Sequence, residues 1–247
     1  MFSSLIPAGI PPGELRLVDT CIRVSPDLLA DLTAPVPESE RQRASRYIHT
    51  EDTLRHLIGR GLLRHTLAQI TGQPAASFNI DVDASTGKPF VAGGPAFSIA
   101  HSGEAVVIAV AGNGRVGVDV EAIRSIPDLH NVTRSSFAPD ELSALNRFPE
   151  GEPRTAAFFR GWTRKEAILK ALGHGLSSLH DISVSLTEGD RNTLLRLGIP
   201  GEELRAWTVC SMVGTPLYAA AFAWDQPVLS VRRISIPIDY GHQTQSI

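Results

Sequence analysis

Apolar and polar positions alternate with the period of a strand in the run GVDVE, residues 117–121. Val116, Val118 and Val120 share one face, because residues two apart in a strand point the same way. Asp119 and Glu121 share the opposite face. The pattern predicts a half-buried strand that holds two carboxylates side by side.

The first part of the chain contains one long helical pattern among several strand patterns. The helix is predicted from Thr50, as N-cap, to Gly72, which closes it. Residues 36–47 are polar and basic, and strands are predicted at residues 14–24, 78–82, 97–102 and 105–110. The Gly-Asn-Gly turn at 112–114 is typical of a hairpin, so we expect it to pair the 105–110 strand with GVDVE.

The second part repeats the same order of patterns. Helices are predicted at residues 137–148 and 155–172, with Gly173 closing the second, and strands at 182–186, 204–212 and 217–224. We therefore predict an α+β fold of two similar α/β halves related by a pseudo-two-fold axis. Each half is a small, mainly antiparallel sheet packed on one long helix. The expected boundaries are 1–115 and 116–230, with 231–247 as a C-terminal tail.

Composition narrows the class of protein. The chain has 247 residues, is 43% hydrophobic and 20% charged, and carries a formal charge of -3. This balance argues against a nucleic-acid binder that depends on bulk electrostatics. Two isolated cysteines form no disulfide framework, the N-terminus shows no signal peptide, and no apolar run is long enough to span a bilayer. We therefore expect a soluble cytoplasmic protein with no membrane partner.

The long second helix places charged residues close to its apolar stripe. Lys165 falls within the stripe, and Glu166 and Lys170 lie along its edge, one turn apart. In a purely structural interpretation Lys165 extends to the surface, and Glu166 with Lys170 forms an ordinary helical ion pair. In a functional interpretation these groups face a site.

The carboxylates of GVDVE also allow two interpretations. On a solvated edge strand Asp119 and Glu121 would be ordinary. However, the neighbouring strand 106–110 is too apolar to lie open to water, and like charges two residues apart repel unless a cation lies between them. Mg²⁺ commonly takes one or two carboxylates and phosphate oxygens, and Glu166 is a candidate third ligand.

Basic residues form a third group. Three arginines, Arg41, Arg43 and Arg46, precede the first long helix, and Arg55 lies one turn inside it. Lys88 stands in a glycine-proline turn. Each is more often a solvated residue than a ligand contact. His101, which is followed by Ser102 and Gly103, is either a turn residue or part of an anion site. Together these groups describe a site for a Mg²⁺-bridged pyrophosphate that bears a further phosphate.

Five segments in order give the chain a resemblance to a known family. They are TGKPFV (86–91), FSIAHSG (97–103), GVDVE (117–121), FAPDE (137–141) and WTRKEAILKALGHGL (162–176). They resemble the G-K-P, S-H-S, G-x-D-x-E, F-x-x-x-E and W-x-x-K-E-x-x-x-K elements of the Sfp-type phosphopantetheinyl transferases. The resemblance extends from about Glu38 to Leu186.

The resemblance implies an activity. Members transfer the phosphopantetheine arm of coenzyme A to a serine of an apo carrier protein, depend on Mg²⁺ and release 3′,5′-ADP. It implies Asp119, Glu121 and Glu166 as metal ligands, and Glu166, Lys170 and Glu121 as the catalytic group. The roles of Glu121 and Glu166 stay open between metal binding and proton transfer. The implied contacts to coenzyme A are Arg43, Arg46, Arg55, Gly87, Lys88, Pro89, His101, Ser102, Asp119 and Lys165.

The sequence departs from the family pattern at two places. Ala100 stands where members often have serine, and Glu40 stands where they often have the first of two basic residues three apart. Arg43 is the second of that pair, and Arg41, Arg46 or Arg55 would have to compensate at the 3′-phosphate. Two other functions remain as alternatives: a Mg²⁺-dependent hydrolase of a nucleotide pyrophosphate, and a non-catalytic module that binds coenzyme A or a carrier protein. We expect a monomer, because the two halves already form a paired unit.

Overall fold

The structure, a computed structural model, describes residues 5–189, 193–212 and 216–236. The first half contains β1 (Glu14–Cys21), α1 (Pro26–Thr33), α2 (Glu38–Ala44), α3 (Thr50–Thr71), β2 (Asp81–Val82), β3 (Pro89–Phe90), β4 (Ala96–Ser102) and β5 (Ala105–Ala111). The second contains β6 (Val116–Ala122), α4 (Leu129–Ser136), α5 (Pro139–Leu145), α6 (Glu152–Leu172), β7 (Ile182–Val184), β8 (Leu194–Leu197), β9 (Thr208–Ser211), β10 (Tyr218–Trp224) and β11 (Ser230–Ser235).

Two antiparallel units repeat one topology. In the first unit β5 lies between β1 and β4, and in the second β10 lies between β6 and β9. Each unit therefore consists of a strand, a long helix and two further strands, with the last strand in the centre. The prediction of an α+β fold built from two similar halves, each with a small antiparallel sheet and one long helix, is confirmed.

Three buried apolar clusters set the order of the layers. Ile58 and Leu62 of α3 pack with Val106 and Ile108 of β5. The residues on the opposite face of β5 belong to a second cluster, which includes the valine face of β6 and Phe222 and Trp224 of β10. Helix α6 forms the third cluster with β7, β9 and the other face of β10. The layers are therefore α3, first sheet, second sheet and α6, and β5 is apolar throughout because both of its faces are buried.

The predicted hairpin at residues 112–114 is wrong. Both edges of β5 are already hydrogen-bonded, to β1 and to β4, so β6 cannot pair with it. The turn instead carries the chain from the first sheet to the second. Its Asn113 accepts a bond from Gly13 N through the side chain and one from Trp224 Nε1 through the backbone carbonyl, and so ties the two sheets together.

Several boundaries also differ from expectation. The predicted tail starts with β11, which pairs in parallel with β1 in the first sheet. This edge strand is mostly exposed and contains Arg232 and Arg233, so its sequence lacks the apolar face by which strands are recognised. Residues 237–247 of the predicted tail lie outside the described part. Residues 36–47 include helix α2, and the strand expected at 78–82 is reduced to Asp81–Val82.

Candidate active site

A cleft lies where the two halves meet. It consists of two adjoining cavities of about 220 Å³ and 350 Å³. Both are lined by Gly87 and Pro89 from one loop, Ile99 from β4 and Lys170 from the last turn of α6. The G-K-P turn, the strand that carries His101 and the end of the long helix therefore form its walls.

The carboxylate of Asp83 stabilises the G-K-P turn by hydrogen bonds. Asp83 Oδ1 accepts bonds from the backbone N–H and hydroxyl groups of Ser85 and Thr86. These bonds, with the Ser85 hydroxyl first, lower the pKa of Asp83 to about 2. Gly87 has a φ of 71°, which favours glycine. Thr86 packs so closely on the helix cap Gly173 that a Cβ there would lie 2.6 Å from Thr86 Cβ.

Lys88 fastens this turn to the other half of the protein. Its ammonium donates hydrogen bonds to the carbonyls of Val116 and Ala171, each at 3.0 Å. Ala171 lies in the last turn of α6, whose carbonyls have no partner within the helix. Burial lowers the pKa of Lys88 to about 8, with the charge of Arg115 acting in the same sense and that of Asp225 in the opposite sense. Lys88 lines the smaller cavity while its charged end joins the two halves.

The acidic face of GVDVE lies under α6. Gly117 allows this approach, since a Cβ at that position would lie 1.9 Å from the carbonyl oxygen of Ala167. Lys170 Nζ then reaches Asp119 Oδ1 at 2.7 Å. Burial raises the pKa of Asp119 to about 7, opposed by Lys170, and the charges of Glu166 and Glu121 raise it further.

Glu121 and Glu166 complete the acidic group. Glu121 Oε2 accepts a bond from Ser102 Oγ at 2.7 Å, and Ser102 Oγ in turn accepts one from Ala122 N. Glu166 is half-buried, and burial raises its pKa, with Glu121 acting in the same direction and Lys170 against it. The charge of Glu121 raises the pKa of both Asp119 and Glu166, and the charge of Glu166 also raises the pKa of Asp119, so the three carboxylates lie near one another.

This group has the chemistry of a metal site. No three His, Cys, Asp or Glu side chains in the described ranges are arranged as a ready-made metal cluster. However, Asp119 Oδ2 is buried and lacks a hydrogen-bond partner among those residues. A buried carboxylate oxygen with two more carboxylates nearby is a suitable ligand for a hard divalent cation. The donor set therefore fits Mg²⁺.

Lys165 is not part of this cleft, which corrects the expectation that it contacts coenzyme A. Its ammonium is fully buried on the other side of α6 and lies 2.5 Å from Glu141 Oε2. It also donates to the carbonyl of Ser136. Glu141 accepts further bonds from the backbone N–H groups of Ala138 and Val184. The lysine of W-x-x-K-E and the glutamate of F-x-x-x-E therefore form one structural pair, which joins α5, α6 and β7.

The first half contributes basic groups to the larger cavity. His101 and Arg55 line it, and burial lowers the pKa of His101, with the charges of Arg55 and Lys170 acting in the same sense. Arg55 donates to the carbonyl of Gly103 and to Asp52 Oδ1. Arg43 and Arg46 are exposed and do not line either cavity. Of the six basic residues that the sequence analysis assigned to coenzyme A, three line the cleft, namely Arg55, Lys88 and His101. The other three, Arg43, Arg46 and Lys165, do not line either cavity.

Two basic residues that line the larger cavity were not identified from the sequence. His56 and Arg60 of α3 line the larger cavity beside Arg55 and His101. Their spacing of four places them on one face of the helix, and Arg64 continues that face. That run of basic residues, spaced by four along the helix, was the signal that would have identified them.

None of the helices in the described ranges is both long and apolar enough to cross a bilayer.

Known proteins resemble most of this chain. A family model described as "4′-phosphopantetheinyl transferase, N-terminal" matches residues 24–113. HetI, a 4′-phosphopantetheinyl transferase of Nostoc sp., is 32% identical over 200 residues, which cover 79% of this chain and 81% of HetI. A 4′-phosphopantetheinyl transferase of Bacillus subtilis is 30% identical over 193 residues, 73% of this chain and 84% of its own.

A more distant relative is the human L-aminoadipate-semialdehyde dehydrogenase-phosphopantetheinyl transferase. It is 24% identical over 192 residues, 70% of this chain and 61% of the human protein. The second family model covers residues 115–223, which include Asp119, Glu121, Glu166 and Lys170. On these matches, and with the motifs gathered around one cleft, the chain belongs to the 4′-phosphopantetheinyl transferase superfamily.

Proposed function

We propose that this protein transfers the 4′-phosphopantetheine group of coenzyme A to a serine hydroxyl of an apo acyl or peptidyl carrier protein. The second product is 3′,5′-ADP. Family membership and the names of the relatives in Nostoc and Bacillus support the reaction. The observation that carries the proposal is the Lys170–Asp119 pair, with its unpartnered buried oxygen, beside a cleft lined by basic residues.

In this proposal Asp119, Glu121 and Glu166 hold Mg²⁺. When bound, the ion neutralises oxygens of the coenzyme A pyrophosphate and so favours attack at phosphorus. Burial raises the pKa of Asp119, so its carboxylate is costly to ionise without a partner. A bound cation would stabilise the ionised form, and this supports a metal-binding role for Asp119. Glu121 is held in place by Ser102, which restricts its rotation.

The transfer itself is a displacement at one phosphorus atom. The serine oxygen forms a bond to the phosphorus that carries the pantetheine arm, and the bond from that phosphorus to 3′,5′-ADP breaks. The proton of the serine passes to Glu166, directly or through water. The raised pKa of Glu166 suits a general base, since a carboxylate with an ordinary pKa holds a proton weakly.

Lys170 neutralises the charge that develops on the leaving 3′,5′-ADP. Its side chain is about one-third exposed and lines both cavities, so Lys170 faces the cleft as well as Asp119. A cation that stabilises the leaving group acts in the transition state more than in the ground state.

The proposal also includes a monomer in a reducing cytosol, with which the free thiols of Cys21 and Cys210 are compatible.

The test is mass spectrometry of several apo carrier proteins incubated with the protein, coenzyme A and Mg²⁺. The expected result is a phosphopantetheine mass gain on the carrier serine, together with release of 3′,5′-ADP. A matched carrier with the acceptor serine changed to alanine must show no gain. Cleavage of coenzyme A without any carrier would instead support a hydrolase, and binding without any product would support a non-catalytic module.

A further inference from the structure

Two serine hydroxyls of β4 join the first half of the protein to the backbone of β6. Strand β4 is an edge of the first sheet and β6 is an edge of the second, so the two strands are not hydrogen-bonded neighbours in a sheet. Ser98 Oγ accepts a hydrogen bond from Val118 N, and Ser102 Oγ accepts one from Ala122 N, each at 3.1 Å. We call these two contacts the serine seam.

The serine seam has a regular spacing and a gap at its centre. In both contacts the partners are 20 positions apart in the chain, so β4 and β6 run in the same direction and in register. Backbone N–H groups two residues apart in a strand point the same way, so that of Val120 also faces β4. Ala100 lies opposite it by the same register and lacks a hydroxyl. The bond at Ser98 is therefore the seam's only contact ahead of the gap.

Ser98 acts on the strand that carries the buried carboxylate. The exposed fractions of Ser98 and Val118 are 5% and 0%, so little water can reach the bond between them and take the place of the hydroxyl. Asp119 directly follows Val118 in β6, so any shift of β6 along β4 also moves the carboxylate of Asp119. The hydroxyl of Ser98 thus fixes the position of that carboxylate relative to the first half.

The proposed reaction needs this alignment because its groups come from both halves. The acidic group that would hold Mg²⁺ lies on β6 and α6, whereas His101 and Arg55 line the larger cavity from the first half. Mg²⁺ strengthens coenzyme A binding only if the metal and the bound nucleotide meet. We propose that Ser98 is a positioning residue, which holds β6 in register with β4 and so aligns the acidic group with the nucleotide wall of the cleft. This inference rests on the proposed function.

The test measures how strongly Mg²⁺ and coenzyme A binding depend on each other. Isothermal titration calorimetry gives the Kd for coenzyme A in EDTA and in Mg²⁺, and the ratio of the two values is the coupling. For wild-type protein we expect a ratio of about 5 to 150, the usual range for coupled sites. Ser98→Ala is expected to lower this ratio by about 2- to 10-fold, the worth of one hydrogen bond. Its Kd in EDTA should stay within about twofold of wild type.

Two variants separate positioning from a general loss of stability. Ser98→Thr keeps the hydroxyl on a residue that suits a strand, and is expected to retain the coupling. Ser136→Ala is the matched control, because Ser136 is also buried and its hydroxyl donates to the carbonyl of Val132 within α4. It is expected to lower the midpoint of thermal unfolding and to leave the coupling unchanged.

Three results would overturn the inference. The first is an unchanged ratio in Ser98→Ala, and the second is an equal loss of coupling in Ser136→Ala. The third is a wild-type protein whose affinity for coenzyme A does not depend on Mg²⁺, since no alignment between the halves would then be needed for binding.

Amide hydrogen exchange measured by NMR tests the serine seam without any ligand. Ser98→Ala removes the acceptor of the Val118 amide, so exchange at Val118 is expected to become about tenfold faster. Exchange at Ala122 should change less, because its own acceptor is still present. Equal acceleration at both amides would show a general loss of stability and would contradict a local contact.

A gain of the missing hydroxyl tests the register from the opposite direction. Ala100→Ser places a hydroxyl opposite the N–H of Val120, and exchange at Val120 is expected to become about tenfold slower. An unchanged rate would contradict the register of β6 on β4. If thermal unfolding shows that Ser98→Ala does not fold, Ala100→Ser provides the decision.

The binding and exchange measurements need no carrier protein. A protein that shows the expected coupling but modifies no carrier would count against the proposed function alone. Unchanged coupling in Ser98→Ala, together with normal transfer by the wild-type protein, would count against the positioning role of Ser98 alone.

Discussion

Lys170 Nζ of α6 lies 2.7 Å from Asp119 Oδ1 of β6, so the last turn of the long helix and the acidic face of GVDVE form a single site. The two residues are 51 positions apart in the chain. Asp119 is almost fully buried and Lys170 is partly open to the cleft, with side-chain exposures of 6% and 33%. Lys170 therefore contacts the carboxylate of Asp119 and also faces the cleft.

Removing Asp119 should abolish metal-dependent turnover without unfolding the protein. For Asp119→Ala we expect a loss of ~10²- to 10³-fold in transfer rate, comparable to removal of one key electrostatic group. The fold should persist, because the carboxylate is costly to bury. Transfer measured across a Mg²⁺ series checks this, with Asp31→Ala, an exposed carboxylate of α1, as control. A wild-type transfer rate in Asp119→Ala would contradict the assignment of Asp119 as a metal ligand.

Lys170→Ala should lower turnover more than it weakens coenzyme A binding. A cation that stabilises the leaving group is used mainly in the transition state, so kcat should fall by about 10²-fold while the Kd changes by only a few-fold. Steady-state kinetics measures kcat, and calorimetry measures the Kd for coenzyme A. If the Kd rises and kcat is unchanged, Lys170 only clamps the substrate.

The Lys165–Glu141 pair should behave as a structural unit. Lys165→Met leaves a buried carboxylate without its cation and is expected to lower the free energy of unfolding by about 3–5 kcal/mol. The double variant Lys165→Met/Glu141→Gln should lose less than the sum of the single variants, because no lone charge remains buried. Urea unfolding of all four proteins completes the cycle, and additive losses would show that the two side chains do not interact.

Gly117 should tolerate no side chain. Gly117→Ala places a Cβ 1.9 Å from the carbonyl oxygen of Ala167, so α6 must move away from β6. We expect a loss of at least about 1–3 kcal/mol in the free energy of unfolding, the usual cost of overpacking. Gly175→Ala is the matched control, since its Cβ would meet no atom within 4 Å and its φ of -80° suits alanine. Equal stability of the two variants would contradict the close approach.

Asp83 should make the stability of the G-K-P turn depend on pH. Its pKa is lowered from 3.8 to about 2 by the bonds it accepts from Ser85 and Thr86. The unfolded state therefore binds more protons between these values, so the stabilisation is complete above pH 3.8 and is lost as the pH falls through about 2. Asp83→Asn removes the titrating group. The difference in unfolding free energy between wild type and Asp83→Asn should shrink on acidification, and a constant difference would refute the role of Asp83.

The sequence alone determined the two long helices, the strand in GVDVE and the residue types that line the site. Thr50–Thr71 and Glu152–Leu172 were predicted within a few residues, because the patterns are long and glycine closes each helix. The alternation in GVDVE identified the strand and its acidic face, since side-chain direction in a strand depends only on local geometry. Ordered motifs then indicated the family.

Only the tertiary structure decided which residues meet. Lys165 and Lys170 are five positions apart, yet one is buried against Glu141 and the other faces the cleft, because α6 is covered on both sides. The turn at 112–114 joins two sheets instead of closing a hairpin, since both edges of β5 are already paired. Glu40 of α2 meets Arg60 and Arg64 of α3 only because the two helices pack together. Such contacts depend on packing between distant segments, which the local pattern of a sequence does not record.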